Sequence, residues 1–287
     1  MTHPGYAEPH VDLGDAEPGA FAGRGSALPR LVWGYVSKTG ALVAMEAQKL
    51  RHDPTELFLR MVQPALWLLI FGEVFTQARV IDTGAYPYLA FITPGILAQS
   101  VLFVAIFYGI AAIWERDLGI LHKFMATPTP RTALVLGKAL SAGLRGLSQV
   151  VLIYALAVLL GVPLNWSPLA LGGVLLVVVL GATLFATLSL IVASLVKTRE
   201  RFMGIGQLLT MPLFFASNAI YPIAIMPSWL QAIAGANPMT YMVDAARALM
   251  LPGYAAAYGL PMDFAVLFGF AAILIVVGGR CYEGLVR

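Results

Sequence analysis

The sequence predicts an all-α polytopic membrane protein of six transmembrane helices, both termini cytoplasmic, preceded by an interfacial amphipathic helix. Composition is the first reason: 59% hydrophobic residues, 11% charged and a mean hydropathy of +0.81 leave too little polar surface to cover a soluble globule of 287 residues. The second is a set of apolar stretches at 61–78, 86–113, 140–164, 168–196, 202–225 and 264–280, each near or above the ~18 residues that mark a candidate span. The third is charge asymmetry. Sixteen of the eighteen Lys and Arg residues fall on one side of these stretches and only Arg79 and Arg247 on the other, so the basic side, with both termini, is cytoplasmic.

Residues 1–30 are rich in Gly, Pro and Ala, carry Glu8, Asp12, Asp15 and Glu17, and lack the basic and apolar regions of a secretory signal. They read as a disordered cytoplasmic tail. His3 and His10 lie there without a partner at ligand spacing. In 31–52, Trp33, Val36, Gly40, Val43, Ala47 and Leu50 recur by threes and fours while Lys38, Glu46 and Lys49 take other faces. That pattern predicts an amphipathic helix in the headgroup region, too charged to span. The remainder, 31–287, reads as one transmembrane domain. Pro64, Pro94 and Pro212 fall in or beside its spans, where neighbouring helices can satisfy the carbonyls they free.

The polar block 115–138 separates the second and third spans. It carries Glu115, Arg116, Asp117, His122, Lys123, Arg131 and Lys138, and its Leu118, Leu121, Phe124 and Met125 are spaced as on a short amphipathic helix. Thr127, Pro128, Thr129 and Pro130 end that helix. The charge asymmetry makes this segment cytoplasmic, a solvated loop or a docking helix for a partner. On the opposite side, 227–251 is apolar but broken by Pro227 and Pro238 into pieces too short to span, Ser228 to Ala236 and Met239 to Leu251. Trp229 and Tyr241 are suited to anchor the pieces at the membrane surface, and Asp244 and Arg247, three apart, are expected to pair.

Several functions are excluded or disfavoured. No GxxxxGK[ST] loop, HExxH or GxSxG is present, and the four histidines are dispersed. The single cysteine, Cys281, precludes an intramolecular disulfide. A net charge of +3 without a clustered basic face does not support nucleic-acid binding. Glu73 and Arg145 lie near span ends, where a side chain can snorkel, so no mid-depth relay of a proton-coupled transporter is evident.

Three stretches carry a family resemblance: RHDPTELFLRMVQPALWLLIFGEVF, the Glu115-Arg116-Asp117 block with ATPTPRTALVLGK, and YPIAIMPSWLQAIAGANPMTYMVDAARAL. Together they resemble the membrane subunit of a type-2 ABC exporter, the group of drug-resistance, nodulation-factor and polysaccharide export permeases. The last stretch is the most specific, with Pro222, Pro227, Trp229, Leu230, Asn237, Pro238, Tyr241, Asp244 and Arg247 in the family's order. The resemblance implies two such subunits with two cytoplasmic ATPase subunits, which bind the ATP and Mg; this chain is expected to hold no cofactor, no metal and no catalytic residue. It also implies a coupling helix after the second span, here Glu115, Arg116, Asp117, Leu118, Leu121, Lys123 and Phe124. The path would be lined by the second and fifth spans, through Gln99, Phe103, Phe107, Phe214, Phe215 and Asn218, and an outer cap formed by Pro227, Trp229, Asn237, Pro238, Tyr241, Asp244 and Arg247. One departure is that Ile120, Leu121, His122 and Lys123 follow Gly119, where the family often has an acidic residue. The implied function is outward transport of a lipophilic or amphipathic substrate across a bacterial-type plasma membrane; the alternative is an ATP-independent secondary transporter or channel.

Overall fold

The computed structural model describes residues 62–79, 81–119, 131–196 and 198–281. The expected tail at 1–30, the interfacial helix at 31–52 and residues 120–130 of the coupling segment lie outside them. Among the described residues the chain is helical, with no strand. A helical run from residue 62 passes through a π-helical stretch, Trp67–Gly72, into α1, Glu73–Ala78. There follow α2 (Tyr88–Asp117), α3 (Arg131–Leu159), α4 (Pro168–Leu195), α5 (Arg199–Phe215), α6 (Ser228–Ala236), α7 (Pro238–Met250) and α8 (Leu260–Cys281).

Local chemistry explains the boundaries. Gly119, at φ +70°, closes α2: its N–H reaches Arg116 O at 2.9 Å, and a side chain would be strained in this left-handed conformation. After α3, Val162 N–H returns to Ala157 O at 2.9 Å, a Schellman closure. Ser167 caps α4 by accepting from Ala170 N at 3.2 Å, with Pro168 in the first turn. Thr198 caps α5, and Asn237 caps α7 by accepting from Met239 N at 3.0 Å.

Helix α4 is the centre of the fold and packs against α2, α3, α7 and α8. Small and hydroxylated residues let the helices approach without an aqueous hydrophobic drive. Ser189 Oγ on α4 donates to Ile106 O on α2 and accepts from Gly109 N at 3.0 Å. At Gly95 a Cβ would lie 2.9 Å from the Ala219 Cα and carbonyl carbon, so backbone meets backbone.

Among the described residues four helices, α2, α3, α4 and α8, are long and apolar enough to cross a membrane. The helical stretch 62–78 and α5 are shorter. The fifth stretch, expected to run through 202–225, ends as a helix at Phe215, where the Asn237 amide draws in the carbonyls of Leu213 at 2.8 Å and Ala216 at 3.1 Å. At ~1.5 Å per residue, its 17 residues cover less than the ~30 Å of a hydrocarbon core. Other boundaries move too: α3 ends at Leu159 rather than at 164, and α8 starts at Leu260 rather than at 264. Helix α2 continues past the expected end at 113 to Asp117, and α3 starts at Arg131 rather than at 140, because Pro130 is followed by a run free of helix breakers. The segment 115–138 is therefore not one loop: its flanks belong to membrane helices and only its middle joins them. The two short helices at 227–251 are found as expected, meeting at Asn237 and Pro238.

Candidate functional site

The charged end of the bundle is built from residues far apart in sequence. Glu115, near the end of α2, pairs with Lys138 of α3, and both side chains are largely buried, at 14% and 7% exposure. Asp117, two residues on, accepts from Arg199 Nη2 at 2.7 Å, and the Arg199 guanidinium lies 3.5 Å above the Trp114 ring. Arg116 donates to Asp117 Oδ1 at 3.3 Å and to Val196 O, at the end of α4, at 3.1 Å. The last turn of α2 is thus tied to α3, α4 and α5 at once. Leu118 follows it with 67% exposure, an apolar side chain facing outward next to the joining segment. Leu121, Lys123 and Phe124 lie outside the described residues.

The candidate path residues do not form one surface. Gln99, Phe103 and Phe107 line a groove of about 250 Å³ with Gln63, Pro64, Ser100 and Val104, so one face of α2 looks toward the start of the first helical stretch. Phe103 and Phe107 stack at 5.9 Å, while the Ser100 hydroxyl is occupied by Ile96 O at 2.7 Å. Phe214, by contrast, is buried edge-on against Trp67 at 5.9 Å. Phe215 is 42% exposed, and Asn218 is buried in the turn after α5 with its carbonyl facing Arg247. Gln63 and Pro64 were missed as groove residues because nothing in a linear pattern shows which faces of two helices turn toward each other.

The expected Asp244–Arg247 pair does not form among the described residues. Arg247, 1% exposed, instead donates to Phe91 O at 3.1 Å, Asn218 O at 2.8 Å and Ala219 O at 3.5 Å, and lies 3.7 Å over the Phe91 ring. Phe91 is in the turn of α2 just before Pro94, which removes a backbone donor from that region. The arginine thus locks α7 to α2 and to the turn after α5. Asp244 accepts from Tyr258 N at 2.9 Å. Tyr241 is likewise no surface anchor, being buried with its hydroxyl on Gly235 O at 2.7 Å; Trp229, at 64%, is exposed, and Pro227 is exposed just before α6. The sequence missed Trp114, Lys138 and Arg199 as partners of the Glu115 block, since contacts across 23 to 85 positions have no short-range signature.

Comparison with known proteins agrees with this architecture. Residues 37–251 match the family described as ABC-2 type transporter. The chain is 30% identical over 219 residues to a putative transport permease, ycf38, of Cyanophora paradoxa, covering 75% of this chain and 74% of that one. It is 29% identical over 237 residues to the daunorubicin resistance ABC transporter permease protein DrrB1 of Streptomyces coeruleorubidus, with 81% of each covered. The inner membrane transport permease YadH of Escherichia coli K12 is 26% identical over 196 residues, 65% of this chain and 72% of that one. With a match spanning most of its length and apolar helices able to cross a bilayer, the chain belongs to the ABC-2 type transporter family of integral membrane transport permeases.

Proposed function

We propose that this chain is the transmembrane subunit of an ATP-binding-cassette exporter that moves a lipophilic or amphipathic substrate, such as a drug, lipid or glycoconjugate, out of the cytoplasm by alternating access. In this reading it spans a bacterial-type plasma membrane six times with both termini cytoplasmic. It works as a homodimer with two copies of a cytoplasmic ATPase, which hold ATP and Mg.

The observation that carries the proposal is the linkage at the end of α2. A joining segment held at α2 and α3 by Glu115–Lys138, with α2 held to α5 by Asp117–Arg199, can pass a push from below to three membrane helices together. The groove at Gln99, Phe103 and Phe107 supports an aromatic-lined path. Its volume of about 250 Å³ is below the ~300–1,000 Å³ of a drug-sized site, which fits half of a cavity completed by the second copy. The resistance named for the Streptomyces relative favours the drug class. Exposed apolar side chains on α8, among them Phe268, Ile273 and Val276, suit contact with lipid.

The test is co-expression with an ABC ATPase subunit. Copurification and substrate-stimulated ATP hydrolysis across a panel of dyes, lipids and glycoconjugates are expected; transport persisting with no ATPase would replace this reading with secondary transport. Leu121→Asp or Phe124→Asp should abolish the stimulation while leaving the protein in the membrane, because an unpaired charge buried at a docking surface costs several kcal/mol. Stimulation equal to wild type in both variants would remove the coupling role from this segment.

Topology has its own expected result. Cysteines at Ser228 and Gln231, both exposed on α6, should react with an impermeant reagent added outside intact cells in a Cys281→Ala background. Thr240 is buried and unsuited to this. Labelling seen only after membrane disruption would reverse the assigned sidedness.

A further inference from the structure

Where α7 meets the start of α8, four oxygen atoms of fully buried side chains have no hydrogen-bond partner among the described residues: Thr240 Oγ1, Asp244 Oδ1 and both carboxylate oxygens of Asp263. Thr240 and Asp244 lie one turn apart on the same face of α7. The second oxygen of Asp244 accepts from Tyr258 N at 2.9 Å, in the segment that leads into α8, and Asp263 sits in the first turn of α8 within electrostatic reach of Asp244. Two buried carboxylates thus lie at the same junction of α7 and α8, and the Thr240 hydroxyl shares the helix face of Asp244.

Charge accounting narrows what could satisfy them. Arg247, one turn further along α7, is within electrostatic reach of Asp244, but its guanidinium is directed to the carbonyls of Phe91, Asn218 and Ala219. The other titratable groups nearby are the phenols Tyr241, Tyr258, Tyr254 and Tyr88, which supply no positive charge in either form. Two carboxylates against one guanidinium leave a single negative charge unmatched. A bare ionised carboxylate in such a place is far too costly to persist, so it binds a cation or a proton. The all-oxygen donor set suits a hard ion, and the single unmatched charge selects a monovalent one over calcium or magnesium.

We propose that Thr240, Asp244 and Asp263 form a buried site for one monovalent positive charge on carboxylate oxygens, either a sodium ion or a proton shared by the two acids, and that its occupancy fastens α8 to α7. The site lies apart from the charged end of α2 and does not depend on the substrate or on an ATPase.

Thermal unfolding of the purified full-length chain in detergent tests this. In one arm sodium replaces choline at constant ionic strength and alkaline pH; in the other, pH is lowered to mildly acidic values in choline alone. A rise in unfolding temperature of roughly 5 °C in the first arm identifies sodium, and the same rise in the second arm alone identifies the shared proton. Asp263→Asn should flatten the responding arm, whereas Glu73→Gln, at an exposed position, should leave it intact. Should Asp263→Asn fail to purify, Asp244→Asn serves the same purpose. A wild-type protein indifferent in both arms, or a response kept in full by the Asn variant, would overturn the proposal.

Discussion

Arg247→Met is expected to lower stability by roughly 3–5 kcal/mol, seen as a fall of about 10 °C in the unfolding temperature of the detergent-purified protein. The fully buried guanidinium serves the carbonyls of Phe91, Asn218 and Ala219 from two separate parts of the chain and stacks on Phe91. Methionine fills much of the volume but leaves these acceptors dry and unpaired, and each such group carries a desolvation penalty of ~1–3 kcal/mol. Arg247→Lys keeps the charge without the planar fork, so it should recover only part of the loss. An unchanged unfolding temperature in the methionine variant would show that these contacts do not hold α7 in place.

Lys138→Met should have the second largest effect, about 3 kcal/mol, because it removes one partner of a buried, hydrogen-bonded ion pair. Glu115 remains largely shielded in the last turns of α2, facing the place where the ammonium stood. Adding Glu115→Gln to Lys138→Met should restore most of the stability, since a neutral amide is cheaper to bury than a carboxylate that has lost its ammonium. The coupling energy from the four-protein cycle is expected to exceed ~1 kcal/mol. Additive losses in the double variant would mean that the two residues act independently. The same cycle applied to substrate-stimulated ATP hydrolysis would separate anchoring of the helices from transmission of force.

Much of this fold was legible because a bilayer imposes strong and local rules. A long apolar run must become a helix to satisfy its own backbone, so α2, α3, α4 and α8 follow from composition and length. Punctuation was equally local: Pro130 before α3, Ser167 and Pro168 opening α4, and Asn237 and Pro238 between α6 and α7 could be read without any partner. The extents of the weaker helices could not. Hydropathy carried the fifth stretch to 225, but Asn237, distant in sequence, claims the carbonyls at its end and the helix stops at Phe215.

The candidate site divides along the same line. The Glu115, Arg116 and Asp117 block stood out because charges between apolar runs are conspicuous, yet its partners Lys138, Val196 and Arg199 are chosen by packing. Gln99, Phe103 and Phe107 face one groove, whereas Phe214 and Asn218, drawn from the same expectation, are spent on internal contacts. Asp244 and Arg247 show the difference most clearly. By itself the sequence determined that both lie on one short helix outside the long spans, where helical spacing alone would make them a pair. Only the tertiary structure decided that the arginine goes to three backbone carbonyls and the aspartate to Tyr258, because in a dry interior each polar group bonds whatever the packing of distant segments brings to it.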